Sequence, residues 1–402
     1  MTPMLRQYLE LKNQAGAALL LYRMGDFYEL FFEDAQIAAP VLGVTLTRRR
    51  HNDNVEAPMC GIPHHAFGSY IGKLLDAGFR VAVAEQVEDP ATAKGLVRRE
   101  IVRTHTPGTI SETDLLDGSE RCYLAAYGGD GESLALAWIE VSTGTLEGIR
   151  CGSSQALTEC LAQLRPRELL VAEGWDGWKA LWPADLEIPT LTPAEPELFS
   201  PTAGEQRLKR VLRVGSLRGF GLESGEKLVG MAGALLGYVE STQKGALHHL
   251  RNFVRRSAGD ALIIDRASLR NLEIERAADG SRSTSLVAVL DHTSTRMGSR
   301  LLRDWVTVPS IDIEEIGERQ RAVAELVEDA DLLGAMTAAL DGLPDLERLA
   351  GRVGMAFATP RELATLRSAL GMLPGLVKTA ERATSPRMRQ LGADLDPLTD
   401  LH

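Results

Sequence analysis

One stretch near the start of the chain, residues 19–34 (LLLYRMGDFYELFFED), most constrains how this protein can fold. It begins with an apolar run of the length of a buried strand, breaks at Gly25, and continues with apolar spacing that predicts a helix over 28–42. Asp26 and Glu29 have the D-x-x-E spacing of a capping box at the start of that helix. The stretch therefore predicts a strand, a tight break and a helix that pack together in an α/β domain.

The break also places an aromatic and a carboxylate two residues apart, at Phe27 and Glu29. Residues two apart on extended backbone project to the same side, so the pair could contact one ligand. A Phe side chain can enter between base steps of duplex DNA, and a carboxylate can accept a hydrogen bond from a displaced base. The alternative is structural, with Phe27 in the core and Glu29 completing the capping box. Spacing leaves both interpretations open, and the exposure of Phe27 distinguishes them.

Length and composition describe a globular chain of several domains. The 402 residues are many for a single core, 44% of them are apolar and 25% are charged. No apolar run approaches the roughly 20 residues that span a bilayer, and the start is too polar for a signal peptide. We therefore expect a cytoplasmic protein without a membrane partner. The four cysteines lack CxxC spacing, so we expect no metal site.

The pattern of predicted elements changes twice and divides the chain into three parts. Residues 1–115 have the order β-α-β-α-β-β, which predicts a mixed sheet with helices against it. The second of these strands is predicted at 44–47 and is followed by a polar loop up to residue 57. Residues 117–225 contain three strands joined by short glycine-containing turns, followed by a helix, another strand and an irregular stretch at 174–204 that is rich in Trp, Pro and Asp. Residues 226–402 read as helical, with capping-box patterns at Asp312 and Thr359. The predicted fold class is thus multidomain, α/β followed by all-α.

Two short basic clusters lie in the first 110 residues, although the whole chain carries a net charge of −11. Affinity for phosphate comes from Lys and Arg, so the acidic balance disfavours non-specific binding of nucleic acid. The local clusters still supply candidate phosphate contacts at Arg48, Arg49, Arg50, Lys94, Arg98, Arg99 and Arg103. Each of these residues could equally be a solvated surface residue.

Sequence patterns that carry catalysis are not found. The motif GxxxxGK[ST] does not occur, and the nearest string, GLESGEKL at 221–228, has the wrong spacing. His64 and His65 are adjacent, and adjacent side chains seldom share a metal ion. Glu140 and Glu173 lie on or after predicted strands in an order similar to ribonuclease-H-like folds, in which strand carboxylates hold Mg²⁺. A metal-dependent nuclease therefore remains an alternative to a DNA-binding protein without catalytic residues.

Several long motifs resemble the bacterial MutS family of DNA mismatch-repair proteins. They occur in the family's order and extend over almost the whole chain, with the weakest resemblance in 150–225. The motifs are LLLYRMGDFYELFFEDA (19–35), APMCGIPHHA (57–66), AEQVEDPATAKG (84–95), TPGTISE (106–112), LRNLEIE (269–275), VLDHTSTRMGSRLLRDWV (289–306) and TPRELATLRSAL (359–370).

The resemblance implies a role for each part of the chain. Residues 1–115 would be a mismatch-binding domain. Residues 117–225 would be a connector domain with a ribonuclease-H-like fold, through which a MutL-type partner binds. Residues 226–402 would be a helical core or lever domain that is truncated before the family's clamp.

The resemblance also implies roles for particular residues. Phe27 would be the wedge that stacks on a mispaired or unpaired base, and Glu29 the carboxylate that hydrogen-bonds to that base, in the family's F-x-E motif. Arg49 and Arg99 match positions that contact DNA in relatives. The other basic residues named above are weaker candidates for the same task.

The family's clamp and its ATPase domain, which binds ATP and Mg²⁺ and supplies most of the dimer interface, have no counterpart among these residues. We therefore expect a fragment that is not an enzyme and holds no cofactor, whereas the full-length protein would be a homodimeric ATPase. Such a fragment should bind mismatched duplex DNA poorly by itself. A paralogue that recruits partners without reading mismatches is the alternative within the family, although such paralogues generally lack the F-x-E pair.

Overall fold

A computed structural model describes most of the chain. The described residues are 2–52, 55–88, 95–129, 133–184, 186–245, 247–257, 259, 261–398 and 400–401. For residues 49–52, 55 and 56 the description covers the backbone and not the side chains.

The first part of the chain folds around a mixed sheet with the strand order β3-β4-β2-β1-β5-β6. Its strands are β1 (Leu19–Met24), β2 (Phe27–Phe31), β3 (Thr47–Asn52), β4 (Val55–Pro63), β5 (Val81–Gln86) and β6 (Arg99–His105). Strands β1 and β5 pair in parallel, and the other neighbours pair antiparallel. The helices on this sheet are α1 (Pro3–Ala15), α2 (Phe32–Leu42) and α3 (Phe67–Asp76).

Alternating side chains divide the core of the first sheet into two layers. Leu20, Tyr22 and Phe31 pack with residues of α1, whereas Leu21 and Leu30 pack with residues of α2 and α3. This is the period-two alternation of strands whose two faces are both covered. The apolar run at the start of residues 19–34 therefore forms a strand that is buried on both sides, as the sequence predicts.

The structure corrects the helix predicted over 28–42. Residues Phe27–Phe31 form β2, and α2 begins at Phe32, because this segment pairs with β1 on one side and with β4 on the other. Asp26 consequently lies in a turn between strands and is not a helix cap. Aromatic residues favour strands when a pleated neighbour is available, and this tertiary pairing outweighs the helical spacing.

Two further predictions for the first sheet are wrong. The strand predicted at 44–47 begins only at Thr47, and the polar stretch up to residue 57 belongs to the β3–β4 hairpin instead of a loop. The element order is therefore β-β-α-β-β-α-β-β after the first helix. Apolar spacing did not reveal this hairpin, because β3 is an edge strand and its residues are mostly polar.

The second part of the chain contains a sheet with the order β11-β10-β7-β8-β9-β12. Its strands are β7 (Leu124–Gly128), β8 (Leu134–Glu140), β9 (Thr145–Cys151), β10 (Glu168–Ala172), β11 (Thr190–Ala194) and β12 (Val254–Arg256), and its helices are α4 (Ser154–Leu164), α5 (Trp178–Leu181), α6 (Pro201–Leu212) and α7 (Lys227–Gln243). The predicted antiparallel meander of β7, β8 and β9 is confirmed. Strand β11 and the start of α6 lie in a stretch, 174–204, that the sequence suggested was irregular.

Helix α7 shows that a boundary at residue 225 does not separate two packing units. Its residues Leu228, Leu235 and Val239 are fully buried in one core with Leu124 and Ala137 of the second sheet. The boundary predicted at residue 225 rests on the glycine-rich string GSLRGFGLESG (215–225). The helix that follows this string, α7, packs on the second sheet.

The rest of the chain is helical, as predicted. The helices are α8 (Arg266–Asn271), α9 (Leu286–Leu290), α10 (Arg296–Thr307), α11 (Ile313–Glu328), α12 (Ala330–Leu340), α13 (Leu346–Gly354), α14 (Pro360–Leu370), α15 (Leu373–Ala380) and α16 (Pro386–Asp394). Thr359 and Glu362 form the predicted capping box of α14, and Asp312 caps α11 with its side chain. No helix in the described part of the chain has the length and apolar character needed to cross a membrane.

Candidate nucleic-acid interface

A tight hairpin between β1 and β2 presents the aromatic residue and the carboxylate noted in the sequence. Met24 pairs with Phe27 across the turn, and Gly25 has a φ of 57°. Glycine is preferred where a two-residue hairpin turn needs a positive φ at its first central residue. The turn therefore puts Phe27 at the very end of the paired strands.

Phe27 and Glu29 lie on one face of β2 and form a contiguous patch. Phe27 has 48% of its surface exposed, and Glu29 is half-buried. Both side chains flank Gly61 of β4, where a Cβ atom would lie 3.6 Å from Glu29 Cγ and 4.0 Å from Phe27 Cδ1. Phe27 is thus not a core residue, and Glu29 is not part of a capping box.

The opposite face of the hairpin is held by Tyr28. Its ring lies 5.2 Å from the Phe67 ring and 5.5 Å from the His64 ring, and its hydroxyl donates to the Glu85 carboxylate. Burial and then the Glu85 carboxylate raise the pKa of Tyr28, which keeps the hydroxyl a donor. The backbone N–H of His64 also donates to the carbonyl of Asp26 at 2.8 Å. These contacts fix the direction in which Phe27 projects.

Arg99 lies beneath this hairpin and is not the surface cation that the sequence suggested. It exposes 7% of its surface. Its Nε donates to the Arg23 carbonyl at 2.6 Å, and its Nη1 donates to Gln7 Oε1 at 3.2 Å and to the Val97 carbonyl at 2.8 Å. Its guanidinium carbon lies 4.7 Å from the centre of the Tyr22 ring. Arg99 therefore supports the end of β1, from which the turn to Phe27 departs.

Arg103 is also buried, which corrects its prediction as an exposed phosphate contact. Its Nε donates to Gln243 Oε1 at 2.5 Å, its Nη1 to the Glu112 carboxylate, and its Nη2 to Ser111 Oγ at 2.8 Å. Its guanidinium carbon lies 4.5 Å from the centre of the Phe357 ring. Burial lowers the pKa of Arg103. The residue joins β6 to α7 and to the helical region.

The other basic candidates that the structure describes lie along the edges of the first sheet. Arg48 is exposed on β3, and Arg98 is exposed before β6, where its guanidinium pairs with the Glu100 carboxylate. Arg49 pairs with Ala57 in the backbone register, on the strand that also pairs with Phe27 at Pro63. These partners are separated by about 20 Å along β4 at roughly 3.3 Å per residue. The side chains of Arg49 and Arg50, and all of Lys94, lie outside the described residues.

Glu140 and Glu173, which left a nuclease open as an alternative, lie in different surroundings. Glu140 is fully buried and forms ion pairs with Arg121 at 2.9 Å and with Arg348 at 3.7 Å. Glu173 is exposed after β10. Across the described ranges, no group of three or more His, Cys, Asp and Glu side chains is arranged to hold a metal ion. Glu140 is therefore already neutralised by arginines of the same chain.

Sequence reasoning missed the buried polar residues that join the parts of the chain. Glu168 is fully buried and accepts hydrogen bonds from Gly108 N at 2.9 Å, Thr192 Oγ1 at 2.7 Å and the Tyr238 hydroxyl at 2.7 Å. The string TPGTISE (106–112) supplies contacts to this carboxylate. Its density of small hydrogen-bonding residues was the available signal, although no spacing rule identifies the distant acceptor.

Comparison with known proteins shows that this chain consists of successive domains of one family of DNA-repair proteins. Residues 2–114 match the family model described as MutS domain I, residues 122–251 match MutS domain II, and residues 267–400 match MutS domain III. The chain belongs to the MutS family.

Similar proteins extend well beyond the length of this chain. The DNA mismatch repair protein MutS of Syntrophobacter fumaroxidans is 40% identical over 404 residues, which cover 100% of this chain and 45% of that protein. The protein of the same name from Nitratidesulfovibrio vulgaris is 42% identical over 393 residues, covering 96% and 43%. That of Alkaliphilus metalliredigens is 36% identical over 418 residues, covering 100% and 46%. The chain thus spans slightly less than half the length of these relatives.

Proposed function

We propose that the first sheet of this chain reads mispaired and unpaired bases in duplex DNA, as the first step of mismatch repair. The observation that supports this proposal most directly is the exposed Phe27 at the end of a braced hairpin, with Glu29 beside it. An exposed aromatic residue on a rigid turn is suited to insertion between base steps. The match to MutS domain I over the same residues supports the same function.

A Phe wedge selects mispaired DNA through the energy of deformation. Unstacking a base step costs about a few kcal/mol, and it costs least where the pairing is already defective. Stacking of the ring on the base then returns about 1–3 kcal/mol. Phe27 would therefore favour a mispair without reading the sequence around it.

Glu29 would act in two ways, because its carboxylate can accept a hydrogen bond from a displaced base and can repel the phosphates of ordinary duplex DNA. Its carboxylate would accept a hydrogen bond from the displaced base. On an ordinary duplex it would find no such donor and would face the negative phosphates, which weakens binding of the wrong ligand. Arg49 is the proposed phosphate contact that offsets this repulsion, and Arg48, Arg50, Lys94 and Arg98 are weaker candidates for the same role.

We further propose the roles of the other two parts. The second sheet would be a connector with a ribonuclease-H-like fold and would bind a MutL-type partner. The helical region would be the core or lever domain. ATP hydrolysis with Mg²⁺ and homodimer formation would belong to segments that full-length relatives have beyond the matched region. A cytoplasmic location is the one we propose for this role.

Two alternatives are less well supported. A ribonuclease-H-like nuclease would need open strand carboxylates, but Glu140 is paired with two arginines. A family paralogue that only recruits partners would not need an exposed Phe27. Both alternatives therefore leave the hairpin without a function.

The proposal is tested with Phe27→Ala in this chain, with Leu46→Ala as the control because Leu46 is a similarly exposed apolar residue outside the hairpin. A 2-aminopurine placed beside a mispair reports unstacking by its fluorescence at saturating protein concentration. We expect Phe27→Ala to remove the unstacking signal and to reduce the preference for mismatched over matched duplex roughly tenfold or more. Leu46→Ala should retain both. Equal loss of binding to both duplexes, with the unstacking signal kept, would contradict a wedge.

A further inference from the structure

The segment that connects the two sheets, residues 117–121, is held by arginines from the helical region. We call this segment the linker. Arg348 Nη1 donates to the Asp117 carbonyl at 3.0 Å, and its Nη2 donates to the Glu120 carbonyl at 2.6 Å. Arg300 Nη1 donates to the Gly118 carbonyl at 3.0 Å. The backbone of the linker is therefore bound by guanidinium groups that belong to distant helices.

Helix α10 presents one face of arginines to the linker. Arg296, Arg300 and Arg303 are spaced i, i+4 and i+7, so they share a face of the helix. The Cδ of Arg296 would lie 2.6 Å from a Cβ atom at Gly118, which means that the arginine stem packs directly on that glycine. Arg303 Nη1 pairs with Glu120 Oε1 at 3.1 Å. Against the linker, Arg300 is buried and Arg303 is half-buried, whereas Arg296 stays exposed at the start of the helix.

Arg300 and Arg348 have no exposed surface, and among the described residues they are the largest side chains that are fully buried. Arg300 is paired with Asp345 at 2.6 Å and with Glu347 at 2.6 Å. Asp345 also caps α13, the helix that carries Arg348. Burying a charge is costly unless it is paired and hydrogen-bonded, and here each guanidinium combines carboxylates with linker carbonyls. The linker carbonyls therefore supply part of the hydrogen bonding that these buried charges need.

The same cluster reaches the second sheet. Arg348 lies 3.7 Å from Glu140 Oε1 of β8. Arg121 of the linker donates to Glu140 Oε2 at 2.9 Å and to Asp304 Oδ2 of α10 at 2.8 Å. Glu140 is thus shared between the linker and the helical region. Carboxylates and guanidiniums alternate throughout the cluster, which leaves it no net excess of positive charge to attract an anion.

We infer that this cluster, Arg300 and Arg348 around the linker and Glu140, is the joint that sets the orientation of the helical region against the two sheets. The first sheet has a separate attachment to the second part of the chain, because Arg103 and the Lys244 ammonium bind it to α7. The two sheets are therefore attached to each other independently of the joint. The helical region is held to that pair through the joint and through the contact of Phe357 with Arg103. Arg300 and Arg348 are positioning residues, and their role does not require DNA.

The experiment measures two distances by double electron–electron resonance in the 402-residue chain, with Cys160 replaced by Ser. One pair of spin labels joins Gln36 to Arg361, from the first sheet to the helical region. The other joins Gln36 to Gln155, within the two-sheet unit. All three positions are exposed. The variant is Arg348→Lys, which keeps the positive charge beside Glu140 but lacks the fork that reaches two carbonyls.

We expect Arg348→Lys to replace the single narrow distance between Gln36 and Arg361 with a broad distribution and to leave the distance between Gln36 and Gln155 unchanged. Arg319→Lys is the matched control, because Arg319 pairs with Glu315 and stacks on Trp305 inside the helical region. It should leave both distances unchanged. An unchanged distance between Gln36 and Arg361, or equal broadening of both distances, would overturn the inference. If Arg348→Lys fails to fold, Arg300→Lys is held to the same outcomes.

Discussion

The β1–β2 hairpin differs from the buried contacts between the parts of the chain in how charged and aromatic residues are used. We call those contacts the junction, and they comprise Arg103 of β6 with its partners and the cluster of Arg300 and Arg348 around the linker. At the hairpin, an apolar ring is exposed and a carboxylate stands beside it, with little apolar cover. At the junction, Arg103, Arg300 and Arg348 are buried among carboxylates and carbonyls. The hairpin therefore leaves interaction energy available to a ligand, whereas the junction uses it inside the chain. Residue type alone does not indicate which of the two a residue serves.

The comparison also shows why basic clusters are a poor guide to a DNA-binding surface. Arg98, Arg99 and Arg103 are close in sequence, yet Arg98 is exposed and the other two are buried. On a strand, alternate residues face opposite sides, and one side of β6 meets other parts of the chain. A buried arginine then becomes a structural connector.

The largest effect is expected from Arg103→Met. It leaves the Glu112 carboxylate buried without its guanidinium partner, and removing one member of a buried ion pair costs about 3–5 kcal/mol. Arg98→Met is the matched control, since an ion pair exposed to solvent contributes little to stability. Urea unfolding followed by tryptophan fluorescence measures both. Similar destabilisation by the two variants would show that the junction is no different from the surface.

A smaller effect is expected from Arg99→Met, and it separates support of the hairpin from contact with phosphate. As a support, Arg99 positions Phe27, so its loss should reduce the preference for mismatched duplex while the salt dependence of binding to matched duplex stays constant. A residue that neutralises a phosphate would instead change the slope of log K against log salt by about 0.9. Binding titrations of matched and mismatched duplex at several salt concentrations measure both the preference and the salt dependence. A lower slope with unchanged preference would assign Arg99 to phosphate.

Glu29→Gln should change discrimination in a different way from Phe27→Ala. It removes the negative charge and keeps the size of the side chain, so affinity for matched duplex should rise by a few-fold while 2-aminopurine unstacking at a mispair persists. Glu33→Gln is the control, because Glu33 is an exposed carboxylate on α2. Unchanged affinity for matched duplex in Glu29→Gln would remove the repulsion from the proposed mechanism.

The smallest effect concerns pH at the junction. Burial lowers the pKa of His105, and the charges of Arg103 and Arg352 lower it further, against the opposing effect of Glu112. The unfolded chain therefore takes up this proton first, and stability should fall as the pH drops below about 6.5, by at most about 1.4 kcal/mol per pH unit. His105→Gln should reduce this loss between pH 7 and pH 5.5 in thermal unfolding. An identical pH dependence in the variant would exclude His105 as its source.

Much of the fold follows from local patterns. The buried strand before Gly25, the meander from β7 to β9 and the capping box at Thr359 each depend on residues within a few positions of one another. Helix 28–42 was wrong because the structure of this segment depends on a distant partner, and the burial of α7 depends on a distant partner too. Strand β2 needs β4 beside it, and α7 needs the second sheet. A short stretch of sequence around β2 or α7 does not include the strand or sheet against which that element packs.

The features of the candidate site also divide into those that depend on local sequence and those that depend on distant residues. The pair Phe27 and Glu29 could be singled out because their spacing and their family motif are local. The exposure of Phe27, which decides between a core residue and a ligand contact, required the hairpin and Gly61 of β4. The burial of Arg99 and Arg103 required the positions of α1, α7 and Phe357. Arg348 gave no signal at all, since its acceptors are backbone carbonyls more than two hundred residues away.

The sequence by itself determined the family, the helical character of the second half, and the residues that turn the chain at Gly25. These depend on backbone preferences and on motifs that short stretches carry. The tertiary structure alone decided that the segment after Gly25 is a strand, that Phe27 faces outward, and that Arg99, Arg103, Arg300 and Arg348 face inward. Burial depends on what packs against a residue, and strand pairing depends on which edge is available. Both are properties of the whole folded chain, so the turn at Gly25 follows from the sequence, whereas the β1–β2 hairpin and its exposure do not.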